Sequence, residues 1–255
     1  MAQKDPVKAA GTTMRIVRKI NELDGARVGK IADEVSLPKS TVHNYLKTLE
    51  KNEYLVNDDG AYRVSLRFLG LGERARSRID LYDVAKPELK ELATMTGELV
   101  NLVVEEHGRG VYIYRAKGNK AAQYHTYVGS HVGERMYLHS TAPGKAILAH
   151  MDEDEVESII DRHGLSALTE QTIQDRDSLF QELSDIKQRG VAFDYEEQLS
   201  GLWSLGAPIT KGNELLGAIS ISGPASRLTA EQFEDELPIR LQETANVISI
   251  NVKFN

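Results

Sequence analysis

Lys39, Ser40, Thr41, His43, Asn44 and Lys47 lie within nine residues, on the side of a helical pattern that Val42, Leu46 and Leu49 leave outward. On one helix such groups can reach phosphate oxygens and base edges in a major groove. Asn44 carries the donor–acceptor pair that matches adenine, and Lys47 is long enough for guanine or phosphate. Lys39 and Ser40 open the helix, where unpaired backbone N–H groups also favour phosphate. His43 is able to read a base or to stay solvated. Arg63 follows on a hairpin strand, placed to touch a DNA backbone.

Other residues invite chemistry that their surroundings withhold. Asp194, Glu196 and Glu197 can supply paired carboxylates for acid/base work, yet no nucleophile or metal motif accompanies them, and a solvated acidic loop accounts for them. His125, His131 and His139 can gather round a metal only if separate loops converge; their spacing matches no compact metal motif. Gly70-Leu71-Gly72-Glu73-Arg74-Ala75 resembles a dinucleotide fingerprint, but the acidic partner expected about 20 residues later falls inside a helix. Gly144-Lys145 lacks the flanking residues of a phosphate loop: His139 stands five before the glycine and Ala146 follows the lysine. The chain has no cysteine, which removes disulfides, thiolate ligands and a cysteine nucleophile. Neither a metal nor a cofactor is expected, and the chain does not read as an enzyme.

The elements that position the first group are short and well marked. Thr12 or Thr13 can cap a helix over 14–24 that buries Ile16, Val17, Ile20 and Leu23. Val28, Ile31, Ala32 and Val35 form the stripe of a second helix, and Leu37-Pro38 breaks it from a third over 38–51. Tyr54–Val56 and Tyr62–Val64 then flank the turn-forming run Asn57–Ala61. Three helices and a hairpin make a winged helix-turn-helix, 1–64.

Residues 65–80 read as a connecting helix with exposed Arg67, Arg74, Arg76 and Arg78, which can also help the chain dimerise. From 81 onward the pattern is α+β. Helices are predicted over 83–96, with Pro87 in the first turn, and over 141–151, 153–162 and 178–188. Strands are predicted over 99–105, 111–115, 124–128, 192–195, 204–209 and 215–222. Thr229 can cap a last helix over 230–247 that breaks or kinks at Pro238. The turns near Gly108 and Gly212 are too short for parallel crossovers, so the sheet should be antiparallel.

The 255 residues suffice for two cores. Net charge is −7, but it is divided unevenly. Residues 1–75 carry 13 Lys and Arg against 10 Asp and Glu, and the remainder carries 18 against 28. A mildly basic head on an acidic body aims the head at phosphates. No apolar run approaches the ~20 residues of a membrane span. The polar start, Met1–Lys8, lacks an apolar signal core, so a cytoplasmic protein is expected.

Taken together, these segments resemble the IclR family of transcriptional regulators along nearly the whole chain. The N-terminal resemblance rests on Leu37-Pro38-Lys39-Ser40-Thr41-Val42-His43, Leu46, Leu49-Glu50 and Gly60-Ala61-Tyr62-Arg63. The C-terminal one rests on Leu138 to Ala146, on Arg189 to Glu197, on Gly206-Ala207-Pro208-Ile209, and on Gly217 to Pro224. The resemblance implies a GAF-like effector domain over 81–255, binding of a small metabolite such as an organic acid, palindromic or repeated operator DNA, and assembly as dimers or tetramers. It also implies an effector pocket. Ala142, Pro143 and Gly144 fall at a helix entrance whose N–H groups can take a carboxylate, Asp194 and Ser204 at polar pocket positions, and Ser220 and Ser222 on a strand facing the ligand. Val128 and Met136 fall on the apolar side.

Three departures bar transfer of a relative's ligand or operator: Asn44 where many relatives carry arginine, Pro143 where Leu or Ala is frequent, and Ser204 where many have cysteine. The function expected is a ligand-responsive, sequence-specific DNA-binding regulator. An enzyme with an appended DNA-binding head and a constitutive architectural protein are the rival readings.

Overall fold

The computed structural model describes residues 7–121 and 131–254. They form two compact units, 1–75 and 76–255. The predicted strand over 124–128, together with Val128 and His125, lies outside the described residues.

In the first unit, α1 (Lys8–Glu22), α2 (Val28–Val35) and α3 (Lys39–Lys51) pack round Ile16, Ile20, Ile31, Val42 and Leu46, all fully buried. The first helix begins earlier than its threonines suggest. Thr13 does not cap it; its hydroxyl lies inside the helix and donates back to the Ala9 carbonyl at 2.9 Å. Such back-bonding lets a threonine sit within a helix. The break between α2 and α3 is a left-handed Ser36, with Leu37 N–H donating to Ala32 O and Ser36 N–H to Asp33 O, the paired bonds of a Schellman stop. Pro38 then fixes an extended entry to α3.

The wing is a hairpin of β2 (Leu55–Asp58) and β3 (Ala61–Val64), joined by Asp59-Gly60 with both residues at positive φ. That is the twist a two-residue turn needs, and glycine adopts it without steric cost. A short β1 (Ala26–Arg27) extends this sheet on the β3 side. The next helix, α4 (Arg67–Arg76), buries none of its residues. It contains Gly70-Leu71-Gly72, so the apparent dinucleotide motif is helical and cannot form a phosphate-binding turn.

The second unit is a six-stranded antiparallel sheet. Its strands are β4 (Leu99–Glu106), β5 (Arg109–Lys117), β6 (Arg135–Met136), β7 (Ala192–Tyr195), β8 (Leu202–Lys211) and β9 (Glu214–Pro224), in the order β6-β5-β4-β9-β8-β7. On one face α5 (Asp80–Thr96) and α9 (Leu237–Phe254) cover Leu102, Ile219 and Ile221. The other face meets α6 (Ala142–Leu148), α7 (Glu153–His163) and α8 (Arg176–Arg189) in a core with Val103, Tyr112, Met136 and Ala218.

Two prolines depart from expectation. Because α5 begins at Asp80, Pro87 lies two turns inside it instead of in its first turn. Pro87 and Asp83 are both exposed, so water can meet the carbonyl that the missing N–H leaves unpaired. Pro238 does not break the last helix. Thr229 and Gln232 cap each other's backbone N–H groups, and the helical run continues through a π-helical turn, Gln232–Glu236, directly before Pro238, a widening that accommodates a residue with no N–H.

Candidate nucleic-acid interface and effector face

The Leu46 face of α3 is used by the core, so its opposite side must be polar. Lys39, Ser40, His43, Asn44 and Lys47 are all exposed there. Their spacing is that of one continuous helical stripe. Thr41 is half-buried at its margin. Lys47 Nζ pairs with Glu50 at 2.8 Å, an exposed contact that a phosphate can displace. Arg63 is exposed on β3 and faces Asp58 across the hairpin at 3.7 Å. One basic residue escaped the sequence reading. Arg27 stands on β1 opposite Ala61, and its guanidinium lies beside Gly60 at the wing tip. Only strand pairing across 34 positions brings it there.

The second unit carries its polar groups inside. Strand register places Asp194 beside Ser204 and Ser204 beside Ser222. One step along, Gly206 lies beside Ser220, Ser220 beside Asn101, and Asn101 beside Arg115. Ser204 Oγ donates to Ser222 Oγ at 2.7 Å, Asn101 Nδ2 donates to Ser220 Oγ at 3.1 Å, and Arg115 Nε donates to Asn101 Oδ1 at 3.0 Å. Asn101, Asp194, Ser204, Ser220 and Ser222 are buried. Met136 is buried on the same face, against Gly110.

Asp194 accepts from Glu197 N–H at 2.7 Å through Oδ1, while its Oδ2 is buried with no hydrogen-bond partner. Burial first, and Glu197 second, push its pKa up to about 7. The reading of Asp194 and Glu197 as a solvated acidic loop is therefore corrected: the loop is pinned inward. Thr169 and Thr172 hydroxyls donate to the Glu196 and Glu197 carbonyls at 2.7 Å each. Glu197 also receives Lys145 Nζ at 2.5 Å. Burial raises the Glu197 pKa and the Lys145 charge opposes that rise. Lys145 itself is 1% exposed and also reaches Glu182 at 3.3 Å. It is an internal ion-pair centre, not a phosphate ligand.

The start of α6 differs from expectation too. Thr141 Oγ1 accepts the Gly144 N–H at 3.1 Å, and Pro143 has no N–H. One donor expected for a ligand carboxylate, the Gly144 N–H, is thus committed to Thr141. What the helix start does instead is pack. A Cβ on Gly206 would lie 2.4 Å from the Ala142 carbonyl carbon, so glycine lets α6 rest directly on β8. The His139 ring meets the Ser166 carbonyl at 3.2 Å, and burial lowers its pKa. Among the described residues no three His, Asp or Glu side chains gather to hold a metal.

The same two units are found in known proteins. Residues 12–59 match the IclR helix-turn-helix domain, and residues 73–250 match the bacterial transcriptional regulator IclR C-terminal domain. The chain belongs to the IclR family. It is 30% identical over 242 residues to a probable HTH-type transcriptional regulator ArcR of Halobacterium salinarum, covering 94% of this chain and 92% of that one. It is 28% identical to the HTH-type transcriptional regulator KdgR of Escherichia coli, over 99% and 95% of the two chains. The crystal structure of the Thermotoga maritima IclR superposes with a TM-score of 0.79 at 29% identity, over 96% and 98%. An IclR homolog of Microbacterium hydrocarbonoxydans, solved with 4-hydroxybenzoate, shares the fold with a TM-score of 0.81 at 20% identity, over 96% and 99%. This IclR-family chain is accordingly a DNA-binding transcriptional regulator. No helix among the described residues is long and apolar enough to cross a membrane.

Proposed function

We propose that this regulator acts in the cytoplasm on palindromic or repeated operator sites, as a dimer or a pair of dimers. The observation that carries the reading is the single exposed stripe of Lys39, Ser40, His43, Asn44 and Lys47 on α3. In this assignment Lys39 and Ser40 hold phosphate, Asn44 and Lys47 read base edges, His43 and Thr41 flank them, and Arg63 with Arg27 touches the backbone from the wing. Residues 1–64 form the DNA-binding domain, 65–80 the connector, and 81–255 the effector domain.

Self-association is supported by α4 and the residue before it. Leu66, Leu69 and Leu71 are 51–85% exposed, on a segment with no fully buried residue, although Phe68 packs against the N-terminal core. A second copy of the same helix would cover them, and twofold pairing matches a palindromic site.

The effector is assigned to the sheet face of Met136, Asp194, Ser204, Ser220 and Ser222, near Ala142, Pro143 and Gly144; Val128, outside the described residues, joins the assignment on family resemblance alone. The small acid bound by the Microbacterium homolog supports an organic acid here. The domain serves as a sensor and not as an enzyme. Effector binding shifts operator affinity only by the difference in its affinity for the two states, and DNA must shift effector affinity equally.

Selection of duplexes from a random pool by the purified protein, followed by fluorescence anisotropy across a salt series, tests the reading. One enriched sequence, preferred over its scrambled version at moderate salt, is the expected result, with a slope reporting several phosphate contacts. Equal binding of all duplexes would refute it.

A further inference from the structure

Residues 196–201, which join β7 to β8, are drawn inward over the sheet face that meets α6. Asp194 Oδ1 accepts the N–H groups of Glu197 at 2.7 Å and of Gln198 at 3.4 Å. Thr169 and Thr172, in the segment before α8, hold the Glu196 and Glu197 carbonyls. Gln198 Nε2 donates to the Tyr112 hydroxyl at 3.5 Å. Tyr112 stands on β5, so the segment reaches from the β7 edge toward the other side of the sheet, as a strap. Glu196 keeps a left-handed backbone, φ 66°, which a residue with a side chain adopts only where other contacts hold it.

The groups that hold the strap are one charge out of balance. Lys145 Nζ lies 2.5 Å from Glu197 and 3.3 Å from Glu182, and Arg189 reaches Glu182 at 2.7 Å. Asp194, beside Glu197, forms no ion pair of its own, and its Oδ2 and Glu197 Oε2 are both buried without a hydrogen-bond partner. Asp194, Glu197 and Glu182 thus face only Lys145 and Arg189. The surplus negative charge is costly in a buried site, and neighbouring carboxylates relieve it by keeping a proton. The other groups round the strap do not supply a counter-charge. On β5, burial pushes Tyr112 up to about 12, with Glu134 adding negative charge beside it, and Arg115 faces the Tyr112 ring at 5.7 Å. Before α6, burial lowers the His139 pKa and favours its neutral ring. On β8, Asp194 meets the neutral Ser204. Glu196 takes the Gly201 N–H, and Glu170, beside the threonines, is exposed.

We propose that residues 196–201 form a proton-operated strap: one proton shared by the Asp194 and Glu197 carboxylates keeps it down, and loss of that proton to solvent releases it. Such a proton belongs to the pair and not to either residue alone. In the held state a neutral Asp194 carboxyl still accepts the Glu197 N–H through one oxygen, and the surplus charge is gone. Once the proton leaves, two buried carboxylates face one lysine. Water at Asp194 Oδ2 relieves that cost, and the strap lifts to admit it. The Asp194 pKa, raised to about 7, agrees with the charge count and puts release near neutrality. The strap stands on these contacts alone. Its consequence, that the effector face opens as pH rises, rests on the effector assignment above.

The test is hydrogen exchange of the full-length protein, read by mass spectrometry on peptides covering 196–202 and corrected for the intrinsic pH dependence of exchange. A released strap exposes a carboxyl with an ordinary pKa of ~4, so the held state loses its advantage as pH rises toward about 7. From pH 5 to pH 7 the protection of these amides should fall at least about tenfold. Dilute urea should leave that fall unchanged, the mark of local opening as opposed to global unfolding. Asp194→Asn, a fixed neutral side chain, should keep protection high at both pH values. Glu197→Gln balances the charges without touching Asp194 and should shrink the fall. Thermal melting and duplex binding show that each variant is folded. Protection that is constant with pH in the wild type overturns the proposal, and so does an undiminished fall in either folded variant. Exchange of the strap only together with β9, at the same urea dependence, overturns it as well. These outcomes leave the regulator reading standing; that reading fails only if no duplex is preferred to another.

Discussion

The two polar surfaces of this chain are built on opposite principles. On α3 the functional side chains stand in solvent, each carried by one helix and held by little beyond backbone geometry. On the sheet of the second unit they are turned inward, drawn from five strands, and held largely by one another. An exposed stripe costs little to keep and can be altered one residue at a time. A buried network has to be satisfied as a whole, because each unpaired group retains its desolvation cost. The first surface should therefore show its substitutions in affinity and the second should show them in stability as well.

The sharpest break in that comparison is Lys145→Met. It strips the counter-charge from the buried Glu197, and removal of one partner of a buried ion pair costs about 3–5 kcal/mol. Thermal or urea unfolding should show that loss, with Glu197→Gln in the same chain restoring part of it. An unchanged melting temperature would mean that Lys145 is not the internal anchor described.

Next in size is Asp194→Asn. Because the folded-state pKa of Asp194 is raised to about 7, the folded protein keeps a proton that the unfolded chain releases near pH ~4. Its contribution to stability is fully present below that unfolded value and is lost as pH rises through about 7. The wild type should thus lose stability between about pH 4 and pH 7, and Asp194→Asn should flatten that fall, gaining about 1–3 kcal/mol at the alkaline end. Parallel pH–stability curves for the two proteins would contradict the assignment.

The smallest effect belongs to the exposed surface. Lys39→Ala should leave stability within about 0.5 kcal/mol. It should weaken binding to all duplexes alike and lower the salt slope by about one. A change of sequence preference would mean that Lys39 reads bases.

The same contrast explains what was legible in advance. A helix that buries Val42, Leu46 and Leu49 declares its outer face, because the 3.6-residue period is local. The three N-terminal helices, the wing and the sheet's hairpins could be read for that reason, although α1 starts earlier because Thr13 back-bonds inside it, and Pro87 and Pro238 lie within longer helical runs than expected. The buried site is not local. Asn101 and Ser220 are 119 positions apart, and no spacing rule joins them. Asp194, Ser204, Ser220 and Ser222 were reached only through family resemblance, while Arg115 and Asn101 went unnoticed because register alone aligns them. At the α6 entrance the Thr141 cap takes the Gly144 N–H, a contact the helix-start pattern alone does not announce.

The measurement that bears most directly on the central claim is duplex selection from a random pool by the wild type and by Asn44→Ala, with anisotropy on the winning sequences. If α3 reads the operator, the variant relaxes preference at one base-pair position in each half-site and loses about 1–3 kcal/mol on the wild-type sequence, while binding to scrambled DNA is unchanged. If both proteins enrich the same sequence with the same affinity, α3 is not the reading helix.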